Sequence, residues 1–279
     1  MKLHTNGITL NVQEYSKEGT PILFLHYLNG TADIWNKIIP AFTGSHRVLA
    51  LDLRGHGKSD QPDTGYDIET VAQDVLGVLD ALEIRQTHIV GSSYGCYVGT
   101  FLASRWPDRI LSLVNSEGAL VNHSGPGGLY EEPKEEHLAE IFTEPEPEFD
   151  SKGDFLQFMK ENWQPWNAAR EQSMQDYEPR KLDNGNVSFI TKQSTVKEIV
   201  ADLYEVHLQD WYKSVTCPVL FLPAEIEGDL TKKLTFIQEV ESGLPYSKTV
   251  VIPESEHAMM FDHDKQMSRE IIEFLGRIS

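Results

Sequence analysis

The sequence has little cysteine and no long apolar run, and these two absences narrow the class of protein. Only two cysteines, Cys96 and Cys217, occur in 279 residues, so no disulfide framework is implied. The first residues, Met1 to Gly7, contain no apolar signal region, and no segment approaches the length that spans a bilayer. We therefore expect a cytoplasmic protein that is not inserted in a membrane.

Basic residues are also scarce relative to acidic ones. The chain has 24 lysines and arginines against 43 aspartates and glutamates, a formal net charge of −19. Such a surface repels nucleic acid and anionic lipid. The expected partner is a small-molecule substrate, while the composition leaves the oligomeric state open.

Short apolar runs recur along the chain and predict strands that are buried on both faces, as in a parallel sheet covered by helices. Segments with helical spacing lie between them, around Val71 to Leu82, after Gly95, at Leu230 to Val240 and at Ile271 to Leu275. Alternating strands and helices indicate an α/β fold with a mostly parallel central sheet and helices on both faces. The predicted strands are Ile22 to Leu25, Val48 to Leu51, His88 to Val90, Ile110 to Val114, Val219 to Leu222 and Thr249 to Ile252.

This alternation fails between residues 120 and 206. A glycine-rich loop at 124–128 and an acidic, proline-rich stretch at 144–148 precede apolar residues at helical spacing, and Asp183-Asn184-Gly185 reads as a tight turn. We predict a core made of 1–119 and 207–279, with 120–206 inserted as a helical cap over the carboxyl edge of the sheet.

The most informative motif is Gly91-Ser92-Ser93-Tyr94-Gly95, directly after a predicted strand. This G-x-S-x-G pattern is typical of a nucleophile elbow, a strained strand-to-helix turn that projects the serine hydroxyl clear of the backbone. The glycines are needed because strand and helix pass closely there. Ser93 is therefore the candidate nucleophile.

A serine hydroxyl needs a neighbouring base, and the base in turn needs a carboxylate that orients it. His257 follows the last predicted strand and is the candidate base. Two loops compete for the acid: Glu117 follows strand 110–114, whereas Glu225, Glu227 and Asp229 follow strand 219–222. We favour Glu117, a lone acid in an apolar setting, and keep Glu227 as the alternative.

Two backbone N–H groups are expected to stabilise the developing oxyanion. One is that of Tyr94, at the start of the helix after the elbow, and the other is that of Leu28, in the loop after strand 22–25. The side chains expected around the substrate pocket come from that loop and from the cap: His26, Tyr27, Trp163, Trp166 and Tyr204.

These features resemble the α/β-hydrolase superfamily over essentially the whole chain. Besides the elbow, the segment from Asp52 to Asp60 resembles the family's D-x-R-G-x-G-x-S-D pattern, and Cys217-Pro218-Val219-Leu220 resembles its usual entry to the strand before the acid loop. The order Ser93, acid, His257 also matches the family. The resemblance implies a Ser-His-acid hydrolase with a cap, which needs no metal or cofactor.

The chain departs from the family pattern at three places. It has His26-Tyr27 where the oxyanion loop usually reads His-Gly, so a bulky ring is expected beside the oxyanion site. It has Ala224 and Glu227 where the commonest acid loop has glycine and aspartate. Glu117 falls where haloalkane dehalogenases and cofactor-free quinolone dioxygenases of this fold carry their acid.

The function expected first is a serine hydrolase that cleaves a small ester, thioester or related carbonyl compound through an acyl-enzyme. One alternative keeps the triad but uses it for C–C hydrolysis, lyase or cofactor-free oxygenase chemistry, an idea prompted by Tyr27. Another is a ligand-binding signalling protein with vestigial hydrolysis. The serine nucleophile argues against dehalogenase or epoxide hydrolase chemistry.

Overall fold

A twisted sheet forms the centre of the molecule, and the computed structural model describes residues 1–163 and 165–278. Eight strands form the sheet in the order β1-β2-β4-β3-β5-β6-β9-β10, antiparallel at β1/β2 and β2/β4 and parallel elsewhere. Two further strands, β7 and β8, form a separate antiparallel pair. The strands are β1 (Lys2–Thr5), β2 (Ile8–Glu14), β3 (Thr20–Leu25), β4 (His46–Asp52), β5 (Thr87–Ser92), β6 (Ile110–Ser116), β7 (Arg180–Lys181), β8 (Val187–Ser188), β9 (Val219–Leu222) and β10 (Ser247–Thr249).

Helices connect the parallel strands and cover the sheet. They are α1 (Ile68–Ala81), α2 (Tyr94–Arg105), α3 (Lys134–Ile141), α4 (Lys152–Asn162), α5 (Ala168–Gln175), α6 (Gln193–Leu203), α7 (Leu208–Tyr212), α8 (Leu230–Glu241), α9 (Met259–Asp262) and α10 (Asp264–Ile278). Short 3-10 turns lie at Ala32–Trp35, Ile39–Ala41 and Pro107–Arg109.

The prediction of an α/β fold with helices on both faces is confirmed. Alternate residues of β3 enter two different apolar clusters: Leu23 and Leu25 pack with α1 and α2, whereas Ile22 and Phe24 pack with α10. Side chains on a strand alternate between faces. A strand covered on both sides therefore reads as one continuous apolar run.

The last strand, predicted at Thr249 to Ile252, begins two residues and ends three residues earlier than predicted. β10 ends at Thr249, although Val250 and Ile252 still donate backbone hydrogen bonds to β9 and the residue after it, at 2.9 and 3.0 Å. Pro223 has no N–H to donate, which interrupts the regular ladder. One further parallel bridge follows, in which the Glu225 N–H donates to the Ile252 carbonyl at 3.2 Å, and the chain then turns into the loop that carries His257.

The segment between β6 and β9 contains α3 to α7, as its helical spacing indicates, and also the small pair β7/β8. The tight turn at residues 183–185 joins those two strands, with Gly185 at φ 93° and a hydrogen bond from Leu182 N–H to the Asn186 carbonyl of 2.8 Å. Two-residue strands are too short to show alternation, so the sequence pattern missed them. The division into a core and a cap at 120–206 stays a prediction.

The segment from Asp52 to Asp60 holds the turn after β4 together. The buried Asp52 carboxylate accepts hydrogen bonds from the backbone N–H groups of Ala32 and Lys58, at 2.7 and 2.9 Å. The buried guanidinium of Arg54 donates two hydrogen bonds to Asp74 of α1, at 2.7 and 2.9 Å. A paired and hydrogen-bonded charge can stay buried, so this motif stabilises the fold.

No helix in the described ranges combines the length and the apolar character that crossing a lipid bilayer requires.

Replacing Gly95 by alanine should destabilise the protein by about 3 kcal/mol or more, because the added Cβ would lie 2.3 Å from the Leu25 carbonyl oxygen. That oxygen belongs to the backbone of a central strand and has little room to move. The free energy of unfolding in urea measures the effect.

The matched control is Gly276→Ala in α10, where an added Cβ meets nothing within 4 Å. This change should raise the free energy of unfolding by about 0.5 to 1 kcal/mol. Equal behaviour of the two variants would contradict the close approach of β3 and α2.

Candidate active site

Ser93 occupies a strained turn between β5 and α2. Its backbone has φ 48° and ψ −113°, a region that residues with a side chain rarely adopt. The two glycines allow the close packing that holds this turn, since a Cβ on Gly91 would lie 2.6 Å from the Cys96 nitrogen and one on Gly95 would meet β3. The elbow geometry read from the motif is present, and it leaves the Ser93 side chain partly exposed.

Ser93 opens into a cavity of about 390 Å³ at the carboxyl edge of the sheet. Residues from five separate segments meet in its wall: Leu28, Ser93 with Tyr94, Glu117, Glu227 and His257. Parallel strands end at the same edge, so the loops after them converge there. Within the described residues, the Ser93 hydroxyl and the His257 imidazole share this cavity without a hydrogen bond between them.

Glu227 is the carboxylate that contacts His257. Its Oε1 lies 3.2 Å from Nδ1 of His257, off the line of a hydrogen bond, and its Oε2 accepts a hydrogen bond of 2.9 Å from the His257 backbone N–H. Contact with the imidazole lowers the pKa of Glu227, against the opposing effect of partial burial. The contact fixes the loop after β9 to the loop that carries His257.

Glu117, the acid favoured from the sequence, has other partners. Its Oε1 forms an ion pair with Lys233 of α8, and its Oε2 accepts a hydrogen bond of 2.6 Å from the Ala224 backbone N–H. In the structure the alternative acid, Glu227, is the one that contacts His257, and which of the two completes a triad stays a prediction. Lys233 causes this difference, because it binds the carboxylate of Glu117. The sequence could not reveal it, since nothing in the spacing of this helix marks one lysine as buried.

The two backbone groups expected to bind an oxyanion both lie in the cavity wall. Tyr94 is the first residue of α2, so its N–H has no helical carbonyl one turn back. The N–H of Leu28 has no backbone hydrogen-bond partner within residues 1–163 and 165–278. Both donors are available to a negatively charged oxygen near Ser93.

The ring of Tyr27 does not enter this cavity. It packs edge-on against Phe261, with ring centroids 6.5 Å apart, and lines two neighbouring cavities of about 280 and 220 Å³. Burial raises the pKa of the Tyr27 hydroxyl. The ring of Tyr27 therefore lies outside the cavity wall that contains Tyr94 and Leu28.

The other side chains expected around the pocket also lie outside the cavity that contains Ser93. His26 is fully buried, donates from Nδ1 to the Tyr27 carbonyl at 2.8 Å and accepts at Nε2 from the Leu53 N–H at 3.0 Å. Trp163 lines the cavity of about 220 Å³, and Trp166 packs against it. Tyr204 packs against His123 and His137.

Other residues form the apolar wall around Ser93. They come from α2, the segment after β6 and one face of α6, which the sequence pattern marks only as apolar positions: Tyr97, Leu120, Val121, Leu129, Val200 and Leu203. Aromatic residues are a poor guide here because large rings also stabilise the interior of the segment between β6 and β9, where Phe149, Phe155 and Phe189 pack together.

An arginine joins the segment before β7 to the loop that contains His257, a link that the sequence did not reveal. Arg170 of α5 is 1% exposed and donates hydrogen bonds of 3.1 Å to Glu256 and to Asp262. Its guanidinium also lies 4.9 Å from the centre of the Trp163 ring. The residue next to His257 is thereby tied to α5.

Three side chains at the site have donor atoms close enough for a shared cation. Ligand atoms of Glu117, Glu227 and His257 all lie within 4.8 Å of one another. The ammonium of Lys233 already neutralises Glu117, so the set is better suited to orienting an imidazole than to holding a metal. That the protein needs no metal or cofactor stays a prediction.

Comparison with known proteins places these features in context. The alpha/beta hydrolase fold family matches the chain over residues 20–264. A putative carbamate hydrolase of Variovorax paradoxus is 27% identical over 268 residues, which cover 94% of each protein. A non-heme chloroperoxidase of Streptomyces lividans is 39% identical over 100 residues, 35% of this chain and 36% of the chloroperoxidase.

The chain thus spans only about a third of the length of that chloroperoxidase. Among solved structures, an E-2-(acetamidomethylene)succinate hydrolase superposes with a TM-score of 0.79 over 99% of both chains at 21% identity. A likeness at that identity shows a shared fold.

The buried His26, in the loop after β3, should make the stability of the protein depend on pH. Burial lowers the pKa of His26 from 6.5 to about 4. Between these two pH values the imidazole is protonated in the unfolded chain and neutral in the folded chain. The contribution of neutral His26 to the free energy of unfolding is complete above the pKa of the unfolded state. It is lost as the pH falls toward the pKa of the folded state. Urea unfolding at several pH values measures this loss.

In His26→Gln, whose amide oxygen can still accept from the Leu53 N–H, that slope should be shallower by about 1 kcal/mol per pH unit between about pH 4.5 and 6. A variant with the slope of the original protein would show that His26 takes up no proton on unfolding. The comparison of slopes holds even where the variant is less stable overall.

Proposed function

Because the chain belongs to the alpha/beta hydrolase fold family, we propose that it is a serine hydrolase that cleaves a small ester, thioester or related carbonyl compound through an acyl-enzyme on Ser93. The observation that carries the proposal is the convergence of the elbow serine, an imidazole contacted by a carboxylate, and two available N–H donors in one cavity. Acyl transfer requires these groups together.

In the proposed mechanism His257 removes the proton from Ser93 as the hydroxyl oxygen attacks the substrate carbonyl. Glu227 holds Nδ1 of the imidazole, so that Nε2 is free to accept the proton and the imidazolium is stabilised. The His257 side chain is 44% exposed, which leaves room for it to turn toward the hydroxyl. Catalytic hydrogen bonds of this kind often tighten only with substrate bound.

The N–H groups of Tyr94 and Leu28 are assigned to the oxyanion. The positive end of α2 points at the same place, because Tyr94 begins that helix. His257 then gives its proton to the leaving group, and the acyl group stays on Ser93 until a water activated by the same imidazole releases it.

The cavity wall supports an uncharged, largely apolar acyl or leaving group. Leu120, Leu129 and Leu203 contribute apolar surface. Glu227 and Asp229 also face the cavity, and the ammonium of Lys233, which lies there too, is neutralised by Glu117. Excess negative charge disfavours an anionic substrate. The position of the Tyr27 ring, outside the cavity wall that contains the oxyanion donors, supports hydrolysis over the C–C cleavage and oxygenase alternatives.

Replacing Ser93 by alanine should abolish turnover of p-nitrophenyl acetate and butyrate and abolish labelling by a fluorophosphonate, because the attacking oxygen is removed. Initial rates and mass spectrometry of the intact protein measure the two effects. Turnover and labelling that survive in this variant would end the proposal.

Ser92→Ala is the matched control. Ser92 is the preceding residue, and its buried hydroxyl has no hydrogen-bond partner in the described part of the chain. This variant loses the same oxygen atom one position away and should keep both activities. If Ser92→Ala also abolished labelling, any substitution in the elbow would disrupt the site. The result for Ser93→Ala would then not identify the nucleophile.

Replacing Glu227 by glutamine should lower kcat by about 100-fold or more, since a neutral amide neither stabilises the imidazolium nor fixes the correct tautomer. Steady-state kinetics with the same esters measure it. Glu225→Gln, two residues earlier on the exposed part of the loop, should keep kcat within about twofold of the original protein. A small effect at Glu227 would assign the orienting role to another group.

A further inference from the structure

Lys233 is a buried charge in an unfavourable place. It is 4% exposed and lies in the first turn of α8, where the helix dipole opposes a positive charge. A lysine in such a position requires a compensating anion. The anion is Glu117, itself 4% exposed, whose Oε1 contacts the ammonium directly.

Glu117 connects the two parts of the proposed active site. On one side its neighbours support the elbow: the Ser93 N–H donates to the Ser116 carbonyl at 3.0 Å, and a Cβ on Gly118 would lie 2.2 Å from the backbone carbonyl oxygen of Ser93. On the other side its Oε2 binds the backbone N–H of Ala224, which begins the loop that carries Glu227. The ion pair therefore lies between nucleophile and acid.

Two carboxylates are within reach of a single imidazole. Ligand atoms of Glu117, Glu227 and His257 lie within 4.8 Å of one another, yet only Glu227 contacts the ring. Lys233 holds the Glu117 carboxylate, and its charge also adds to the effect of His257 in lowering the pKa of Glu227. Of Glu117 and Glu227, it is thus Glu227 that faces the imidazole without an ammonium bound to its carboxylate.

We propose that Lys233 is a positioning residue of this active site, which neutralises Glu117 and so reserves His257 for Glu227. The proposal rests on the proposed serine hydrolase mechanism. It also explains why two glutamates occupy the two acid positions of this fold while one of them contacts the histidine.

Removing one charge of the pair should shift the acidic limb of the pH–rate profile, and the direction depends on which charge is removed. Without Lys233 a second carboxylate faces the imidazole and favours its protonation, so the limb moves to higher pH. Without the charge of Glu117 the buried ammonium faces Glu227 and disfavours protonation of the imidazole, so the limb moves to lower pH. A charge at this range shifts a titration by about one pH unit or more.

Other titratable groups face the cavity and were weighed for the same effect. Asp229 is 41% exposed on its side chain and is screened by water. Burial lowers the pKa of His123 to about 4 and raises the pKa of Tyr130, so both are neutral near pH 7. The two tyrosines of α2 are neutral for the same reason. Glu256, next to His257, is paired with Arg170.

The experiment follows the rate of fluorophosphonate labelling of Ser93 between about pH 5 and 9, which needs no knowledge of the natural substrate. We expect Lys233→Met to move the acidic limb up by about one pH unit and Glu117→Gln to move it down by a similar amount. The double variant lacks both charges and should return the limb to within about 0.3 pH unit of the original protein. If Lys233 and Glu117 had a purely structural role, the acidic limb would stay at the same pH in all three variants.

Lys232→Met is the control on the same helix. Its ammonium bonds the Gly128 carbonyl at 3.0 Å and lies 3.5 Å from Asp229. The Asp229 carboxylate is exposed and screened by water, so the acidic limb of this variant should not move. Lys233→Arg keeps the charge and should retain the original limb. Unshifted limbs in folded single variants, or shifts of both in one direction, would overturn the proposal.

The outcome is decided even where a single variant fails to fold. The double variant has no unpaired ion and should fold, so its failure to fold, or a shifted limb in it, would count against the proposal. Failure of the proposed function is a separate result, since it appears as labelling that does not depend on Ser93. If labelling requires Ser93 but its acidic limb does not move when either charge is removed, the role of Lys233 is refuted and the proposed function stands.

Discussion

Ser93 stands in a backbone conformation that an L residue holds only when its surroundings enforce it. The surroundings are backbone: α2 packs against β3 so closely that no Cβ fits on Gly95, and the segment after β6 packs behind Ser93 so closely that none fits on Gly118. The position of the hydroxyl is thus set by main-chain packing at the centre of the sheet. The loops that supply Leu28, Glu227 and His257 matter because they converge on this point.

Around the elbow the main problem is the burial of charge. Glu117 and Lys233 are both almost fully buried, and each is acceptable there only because the other is present. The same ion pair separates the roles of two glutamates of equal chemistry: one joins the segment after β6 to α8, and the other contacts His257. The partner of a carboxylate, and not its position at a strand end, decides what it can do.

The segment between β6 and β9 shows how weakly residue type alone predicts a pocket. Trp163 and Trp166 pack against each other and Tyr204 packs against His123, and none of these three expected residues lines the cavity that contains Ser93. Leucines and valines of α6 and of the segment after β6 line it instead, beside Tyr97 and Tyr130. Tyr27 shows that residue type is an equally weak guide to obstruction of a pocket. It stands where a ring is expected to obstruct the oxyanion donors, but its contact with Phe261 directs it to the other side of the loop.

The sequence by itself determined the α/β fold, the elbow and the order of nucleophile and histidine. These follow from local rules, because burial on both faces makes a strand uniformly apolar and only glycine fits where strand and helix touch. Only the tertiary structure decided which glutamate contacts His257 and which residues wall the cavity. Those outcomes depend on a lysine 116 positions from Glu117 and on a ring that meets Phe261, and contacts between segments so far apart leave no periodic pattern in the chain.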